Sequence, residues 1–500
     1  MLVNTKNKTQ KQFTASLQQN TQLVKALLPS EDILSYDFTT QDKVDCTLFY
    51  ADGMVNKELL GRLIATPLSF TQLKQLNGQG RAENKQETVL KNTRFPELKT
   101  VQTVDEALAE VLDGNTLLLV DTLPTPFIVG AKLLPVRTIM EPPTDIAVKG
   151  PREGFIEDIK TNMTLVRKRL KTPDLRFETL RVGRRSDTAV SICYLDGTSN
   201  DEVKEEIKKK LQAIDTDIIV DSSYITAFLS PRKHSIFKSV GTTEKPDIFT
   251  AKIAEGRVGV LVDGSPIALT FPYLAVEDFQ TSEDYFLSPF VATSFRFLRF
   301  IALFVALFLP ALYISAQLFK LQLLPLGLTL TIASSVRELP LSPAMEIFVV
   351  LLLLETLKEA SIRMPKYVGM SLSVVGALVL GETAVSAGFL STPAIIIVAF
   401  SGICLYTVPN FVETGSVLRW IILISAGALG PFGIILISTL TLFYMLTSDA
   451  YGAPLLAPFS PLIKSDLHDS IVKYDMQSLK NRPKTLKSKN KTRLKEYPKE

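Results

Sequence analysis

FIALFVALFLPALYISAQLF, residues 300 to 319, holds no charged side chain. A helix of that length rises about 30 Å, the thickness of a bilayer's hydrocarbon core. It opens a longer apolar block. From Phe300 to Ser448 there are twelve charged residues, six basic and six acidic, against 94 in the other 351 positions. The block predicts an all-α polytopic membrane domain. The 299 residues before it are charged, and short apolar runs alternate there with helical patterns. That alternation predicts an aqueous α/β region.

Within the block, Leu321 to Val336 is apolar but short for a span, with Pro325 and Gly327 inside it, and suits a re-entrant element. Pro340 and Pro343 follow, and Ala344 to Met364 reads as an apolar helix that carries charges. Tyr367 to Gly381 is uncharged and reaches Glu382. Thr383 to Val412 is uncharged, with Pro393 at a helix start. Trp420 to Ser448 is uncharged and broken at Gly430-Pro431, which fits one long span or a tight hairpin. Four to six crossings are expected. Basic residues flank both ends, Arg296 and Arg299 before and a Lys-rich tail after, and favour an even number.

Ahead of the block, CTLFY (46 to 50) reads as a strand ending at Asp52-Gly53, and VDEALAEVL (104 to 112) as a helix turned by Asp113-Gly114 into the buried strand TLLLV. The segment EPPTD (141 to 145) is a linker, because Pro-Pro continues neither a helix nor a central strand. Phe155 to Leu170 is helical by apolar period, and Arg257 to Gly264 is a buried strand closing on a turn. Two small α/β domains are expected, at 31–145 and 146–285, with a disordered N-terminus (1–30), a membrane domain (286–455) and a basic tail (456–500).

Composition excludes several functions. A net charge of +4 is too slight to argue for nucleic acid. Cys46, Cys193 and Cys404 are far apart with no CxxC pair, so neither a zinc ribbon nor a disulfide framework is expected. His234 and His468 lie in no ligand pattern, and no GxxxxGK[ST] or GxGxxG phosphate loop occurs. No enzyme activity, cofactor or metal is expected. The first thirty residues lack the apolar core of a signal peptide, which places the N-terminal region in the cytoplasm. The tail after Ile463 reads as disordered and cytoplasmic, where Lys favours anionic lipid or simply solubilises the chain.

The helix from Ala344 to Met364 is the most informative short segment. It holds Glu346, Glu355, Lys358, Glu359 and Arg363. An ionised side chain at mid-bilayer costs ~2.5–3.5 kcal/mol on insertion scales. Glu355 meets Lys358 and Glu359 at helical spacing, and Glu359 meets Arg363, so these four share one stripe. Glu346 falls about 180° away from Glu355 at 100° per residue. Such a stripe suits a water-filled lumen, a partner protein, or a helix lying on the membrane surface. Glu382 either marks a span boundary or lines an ion path. Gly369, Gly376, Gly381 and Gly388 permit close helix packing.

Five stretches carry a family resemblance: YADGMVNKELL (50 to 60), KGPREGFIEDIKTNMTLVRKRL (149 to 170), EGRVGVLVDGSP (255 to 266), SFRFLRF (294 to 300), and RELPLSP with the charged helix and RMPK (337 to 366). They resemble the A subunits of the GerA-type spore germination receptors, over about residues 30 to 475. The resemblance implies a subunit of a nutrient receptor in the spore inner membrane. It implies a transporter-like B subunit and a lipoprotein C subunit as partners, and an oligomer of A subunits that passes monovalent cations. Arg337, Glu338, Glu346, Glu355, Glu359 and Arg363 match charged positions of the family's proline-flanked helix. Lys358 stands where members often carry Arg, and Glu382 where many carry Gln. All eight are expected to line the pore or couple subunits. Two other readings are a secondary transporter with a cytoplasmic regulatory domain and a membrane-tethered scaffold, though one span would suffice for the latter.

Overall fold

The computed structural model describes residues 12–73, 82–93, 95, 97–133, 149–232, 234–319, 322, 325–336, 339–363, 368, 374, 376 and 382–494. The expected linker at 141–145 and the run 377–381 lie outside them, as do Arg337, Glu338, Gly369 and most of the apolar stretch from Tyr367.

The first sheet contains β1 (Ile33–Thr39), β2 (Asp45–Ala51), β3 (Leu98–Thr100), β4 (Thr116–Val120) and β5 (Phe127–Val129), in the order β1-β2-β4-β5-β3. Every pairing is antiparallel. This is the α/β unit that the sequence suggests, with its strands antiparallel. β1 to β2 and β4 to β5 are returns between sheet neighbours, whereas β2 to β3 and β3 to β4 cross the sheet, with the helices Ala82–Asn92 and Val104–Leu112 on the way. Residues alternate faces along β4. Leu117 and Leu119 pack with Val104, Ala107 and Leu108 of helix α3 (Val104–Leu112), whereas Leu118 and Val120 pack with Ile64, Leu68 and Val89 on the other side. Val89 belongs to helix α2 (Ala82–Asn92). Both sheet faces are covered, which explains the uninterrupted apolar run.

Residues 12 to 30 are ordered, contrary to the disorder expected over 1–30, and residues 1–11 lie outside the described ones. Leu17–Leu27 forms helix α1, and Val24, Phe13 and Leu28 join the α3 face of the core. The Gln- and Asn-rich composition hid this apolar spacing. Asn20 is buried, and its side chain bonds the Thr14 backbone in both directions, at 2.9 and 2.7 Å.

The second sheet repeats the first. It contains β6 (Leu175–Val182), β7 (Thr188–Leu195), β8 (Gly241–Thr243), β9 (Val258–Val262) and β10 (Ala268–Phe271), ordered β6-β7-β9-β10-β8 and again antiparallel. One face receives α5 (Asp201–Gln212) and α6 (Ser222–Leu229). The other receives α4 (Ile159–Arg169) and α7 (Pro246–Ala254). Helix α4 starts at Ile159, four residues later than the apolar period suggests, because Asp158 caps it by accepting from Thr161 N–H at 2.8 Å.

A buried ion pair joins the two units. Arg167 on α4 and Asp32 beside β1 are 1% and 4% exposed. The guanidinium donates through Nε and Nη2 to the two carboxylate oxygens at 2.9 and 2.8 Å. Its remaining donors reach Thr172 O and Leu175 O, and Ser30 Oγ also donates to Asp32.

Beyond the sheets, the chain becomes helical: α8 (Pro289–Phe319), α9 (Leu326–Val336), α10 (Pro343–Arg363), α11 (Thr392–Tyr406), α12 (Val412–Leu429) and α13 (Pro431–Leu446). Among the described residues, two helices are long and apolar enough to cross a membrane, Pro289–Phe319 and Pro409–Leu429. Thr392–Tyr406 and Pro431–Leu446 are apolar but shorter. Helix α9 has 11 residues and rises only about 16 Å. Gly430 settles the choice after Trp420. Its φ of 62° and ψ of −141° end α12 and begin α13, and the two helices pack together as a hairpin through Ile422, Ala426 and Ile434.

The tail is also ordered as far as residue 494, contrary to the expected disorder, and residues 495–500 lie outside the described ones. Arg482 Nε donates to Ala254 O at 2.8 Å, Lys489 pairs with Asp201 at 2.5 Å, and Leu486 is buried against Leu274 and Val276. A Lys-rich strand of chain is held here by carbonyls and acids of the second unit, which composition does not reveal.

Asp32→Ala leaves the Arg167 charge buried without its partner. The soluble region is expected to lose about 3–5 kcal/mol, and replacing both residues with apolar ones of similar volume is expected to restore most of it. Denaturant midpoints of the full chain, compared across the singles and the double, check this.

Candidate functional site

Polar side chains inside the helical block gather in two layers. The inner layer centres on Arg419 of α12, 1% exposed. Its Nη2 meets Glu355 Oε1 of α10 at 2.5 Å, and its Nη1 donates to Ser401 Oγ of α11 at 3.1 Å. Ser401 Oγ donates onward to the Ala306 carbonyl of α8 at 2.8 Å. Lys358 pairs with Glu355 and donates to Ser416 Oγ of α12 at 3.0 Å. Four helices therefore meet through one polar network in apolar surroundings. A lone guanidinium there would be costly, so the network fixes which helix faces turn inward.

The charged stripe of α10 divides. Glu355 and Lys358 are 17% and 20% exposed and face α12. Glu359 and Arg363 pair with each other at 2.5 Å on an open surface. Glu355 also has two basic partners and Glu359 one, so these carboxylates are neutralised. Glu382 is exposed on a helical turn, and among the described residues its contact is a backbone one, Ser386 Oγ donating to its carbonyl at 2.5 Å.

Glu346 turns the opposite way from Glu355, as the helical spacing requires, and is fully buried. It accepts the Ser391 N–H that begins α11. Tyr313 and Gln317 of α8 lie beside it, forming the outer layer.

A collar of charge sits where α8 leaves the second unit. Arg296, fully buried, donates through Nε to Asp284 at 2.9 Å, and through Nη1 to Asp469 Oδ1 and Ser470 O at 3.0 and 2.9 Å. Arg299 donates to both Asp284 oxygens at 2.9 and 3.0 Å. Lys473 donates to Asp284 O at 2.5 Å. The helix, the segment after β10 and the tail are thus clamped around the Arg296–Asp284 pair. Burial pushes Asp284 up, but Arg299 and Arg296 outweigh it and hold it below the usual carboxylate range. Beside the collar is a cavity of about 260 Å³ bordered by Lys252, Arg257 and Glu277 of the second unit, Asn410 of the helical block and Arg493 of the tail. Asp278 lies at its wall and is pushed up to about 6, chiefly by burial, while the Tyr273 hydroxyl that donates to it at 2.5 Å pulls the other way.

Arg419, Arg296 and Asp284 are missing from the sequence-based site. Arg419 had a visible signal, a lone Arg inside an apolar helix. It reads as a flank only if the span is begun at Trp420. Elsewhere, burial raises the Cys46 thiol to about 12, so it is no nucleophile. Among the described residues no group of three or more His, Cys, Asp or Glu is arranged for a metal ion.

The family described as Bacillus/Clostridium GerA spore germination protein matches residues 20–485. Spore germination protein KA of Bacillus subtilis (strain 168) is 30% identical over 455 residues, which cover 91% of this chain and 83% of that protein. Spore germination protein GerQA of Bacillus cereus is 34% identical over 403 residues, 80% of this chain and 81% of that protein. The uncharacterized membrane protein YfkQ of Bacillus subtilis (strain 168) is 31% identical over 441 residues, 88% and 85% of the two chains. The crystal structure of the N-terminal domain of the A subunit of the Bacillus megaterium spore germinant receptor GerK3 is 26% identical, with a TM-score of 0.41, and covers 53% of this chain and 97% of that one.

Asp284 of the collar and Asp278 of the cavity wall respond to pH in opposite directions. Asp284, held low, contributes stability that is present above its ordinary value of 3.8 and lost as pH falls below it. Asp278, raised to about 6, contributes stability that is full below 3.8 and lost as pH rises through about 6. Relative to Asp278→Asn, the wild-type chain is expected to lose roughly 2–3 kcal/mol between pH 4 and pH 7. Unfolding curves of both proteins across that range check the sign.

Proposed function

We propose a function from one premise: the chain belongs to the Bacillus/Clostridium GerA spore germination protein family. It acts in spore germination as the A subunit of a nutrient germinant receptor in the spore inner membrane. The helical block is its multi-pass membrane part, with the two sheet units and the tail in the spore core. Copies of the subunit assemble around a cation path, next to a transporter-like B subunit and a lipoprotein C subunit, and the path opens when nutrient binds. The names of the relatives support the role in germination, and that of YfkQ supports the membrane. Ile396, Phe400, Ile424, Ile435 and Phe443 face outward from α11, α12 and α13, as lipid contact requires.

The observation that carries this reading is the Arg419–Glu355–Lys358 network. A network that closes four helices with one buried cation has two arrangements, made and broken, and a ligand that favours one over the other shifts the balance. The collar at Arg296 gives the sheet units and the tail a grip on the first of those helices. A transporter reading would use a broken helix as its substrate site. Here the break at Gly430 is a turn between two whole helices, which gives that reading less to stand on.

Glu355→Gln weakens the network and is expected to change nutrient-triggered cation release at least tenfold, either as leak without nutrient or as a higher nutrient requirement. Glu359→Gln, in an exposed pair, is expected to stay within twofold. Ion flux through the reconstituted chain with its B partner decides between them. Unchanged release in a Glu355→Gln protein that reaches the membrane normally would count against the reading.

A further inference from the structure

We infer that Glu346, Tyr313, Gln317 and Ser391 form a binding site for one monovalent cation, at the end of the helical block remote from the sheets. Its role as a station on a cation path rests on the function proposed above; its existence as a binding site does not.

The four side chains are 0%, 6%, 8% and 2% exposed. Ser391 N–H holds one Glu346 oxygen, Oε1, in place. The other, Oε2, has no hydrogen-bond partner. The Tyr313 hydroxyl faces Glu346, Ser391 and Gln317; it is near enough to the last two to interact, but meets hydrogen-bond geometry with neither. Gln317 lies one helical turn further along α8 on the same face, and neither its Oε1 nor its Nε2 has a partner. Either amide atom can turn inward. Buried polar groups are normally satisfied. Four unsatisfied atoms on three side chains that share one spot point to a common ligand there.

Chemistry selects the ligand. The site offers carboxylate, phenol, amide and hydroxyl oxygens, a hard donor set that suits an alkali ion and not a soft metal. It carries a single formal negative charge, and no basic side chain among the described residues pairs with it. Helix α11 points its N-terminus at the same carboxylate and adds roughly half a positive charge. A divalent ion would leave the pocket strongly positive, whereas a monovalent ion nearly balances it. Glu355 makes the contrast: with Arg419 and Lys358 as partners, it has nothing left to offer a cation.

The chain has a single tryptophan, Trp420. It packs edge-on to Phe348, with ring centroids 4.9 Å apart, and touches the apolar cluster that contains Tyr313 and Leu390. The full chain in lipid nanodiscs, kept at constant ionic strength while choline is exchanged for Na+, K+ or Rb+, therefore reports on the site through its own fluorescence and melting temperature. A saturable response is expected in the wild-type chain. Tyr313→Phe, which keeps the ring, is expected to raise the half-saturating concentration at least tenfold, and Glu346→Gln to abolish the response. Where Glu346→Gln fails to fold, Tyr313→Phe carries the test. Glu359→Gln is expected to match wild type. The same curve for choline as for alkali ions would mean that the groups are merely hydrated and would overturn the site. So would an unaltered titration in Tyr313→Phe, or saturation by Mg2+ below the concentration needed for every alkali ion. Saturable binding without flux on the same preparation would keep the site and retire the channel; flux without saturable binding would do the reverse.

Discussion

A guanidinium buried among apolar helices is the constraint on which the C-terminal half depends. Arg419 cannot shed its charge and cannot reach the surface from the middle of α12. It needs acceptors, and each one it takes fixes another helix: Glu355 sets α10, and Ser401 sets α11 and, through the Ala306 carbonyl, α8. Apolar packing alone would hold these helices less specifically, because one apolar face packs nearly as well as another.

The N-terminal half solves a different problem. It must build two covered sheets and tie them to the helices. Both units use the same strand order and cover both faces of the sheet, so each is self-contained. The Arg167–Asp32 pair makes them one body. The second unit then reaches α8 through Asp284, and the tail returns from α13 to close the same joint with Asp469, Ser470 and Lys473. A chain that leaves the helices and comes back to their base ties the two ends of the block to one buried pair, Arg296 and Asp284.

Much of this was legible in the residues. The turns fall where expected, with φ positive at Gly53, Gly114 and Gly264. The opposed directions of Glu346 and Glu355 followed from helical geometry, and the structure gives them unrelated partners, Ser391 and Arg419. The conspicuous run at 149 to 170 proves to be joint material: Asp158 caps α4, Asn162 braces Ile156, and Arg167 locks the two units. What was not legible depends on distant pairing. Strand order, and with it the repetition of one topology, is set by which strands meet and not by local period. The tail's order comes from acceptors some two hundred residues away, and Lys-rich composition alone argues for disorder. The outer polar layer needed three helices in place before its unsatisfied atoms could be seen to converge.

The central claim is that the helical block sits in lipid with its charges turned inward. Nitroxide labels placed singly at Phe400, Ile424 and Ile435, outward positions on α11, α12 and α13, test it in reconstituted vesicles through relaxation by oxygen and by a water-soluble nickel complex. The account predicts strong relaxation by oxygen and almost none by nickel at all three. Strong relaxation by nickel there would mean that these faces meet water, and the membrane placement of the block would be wrong.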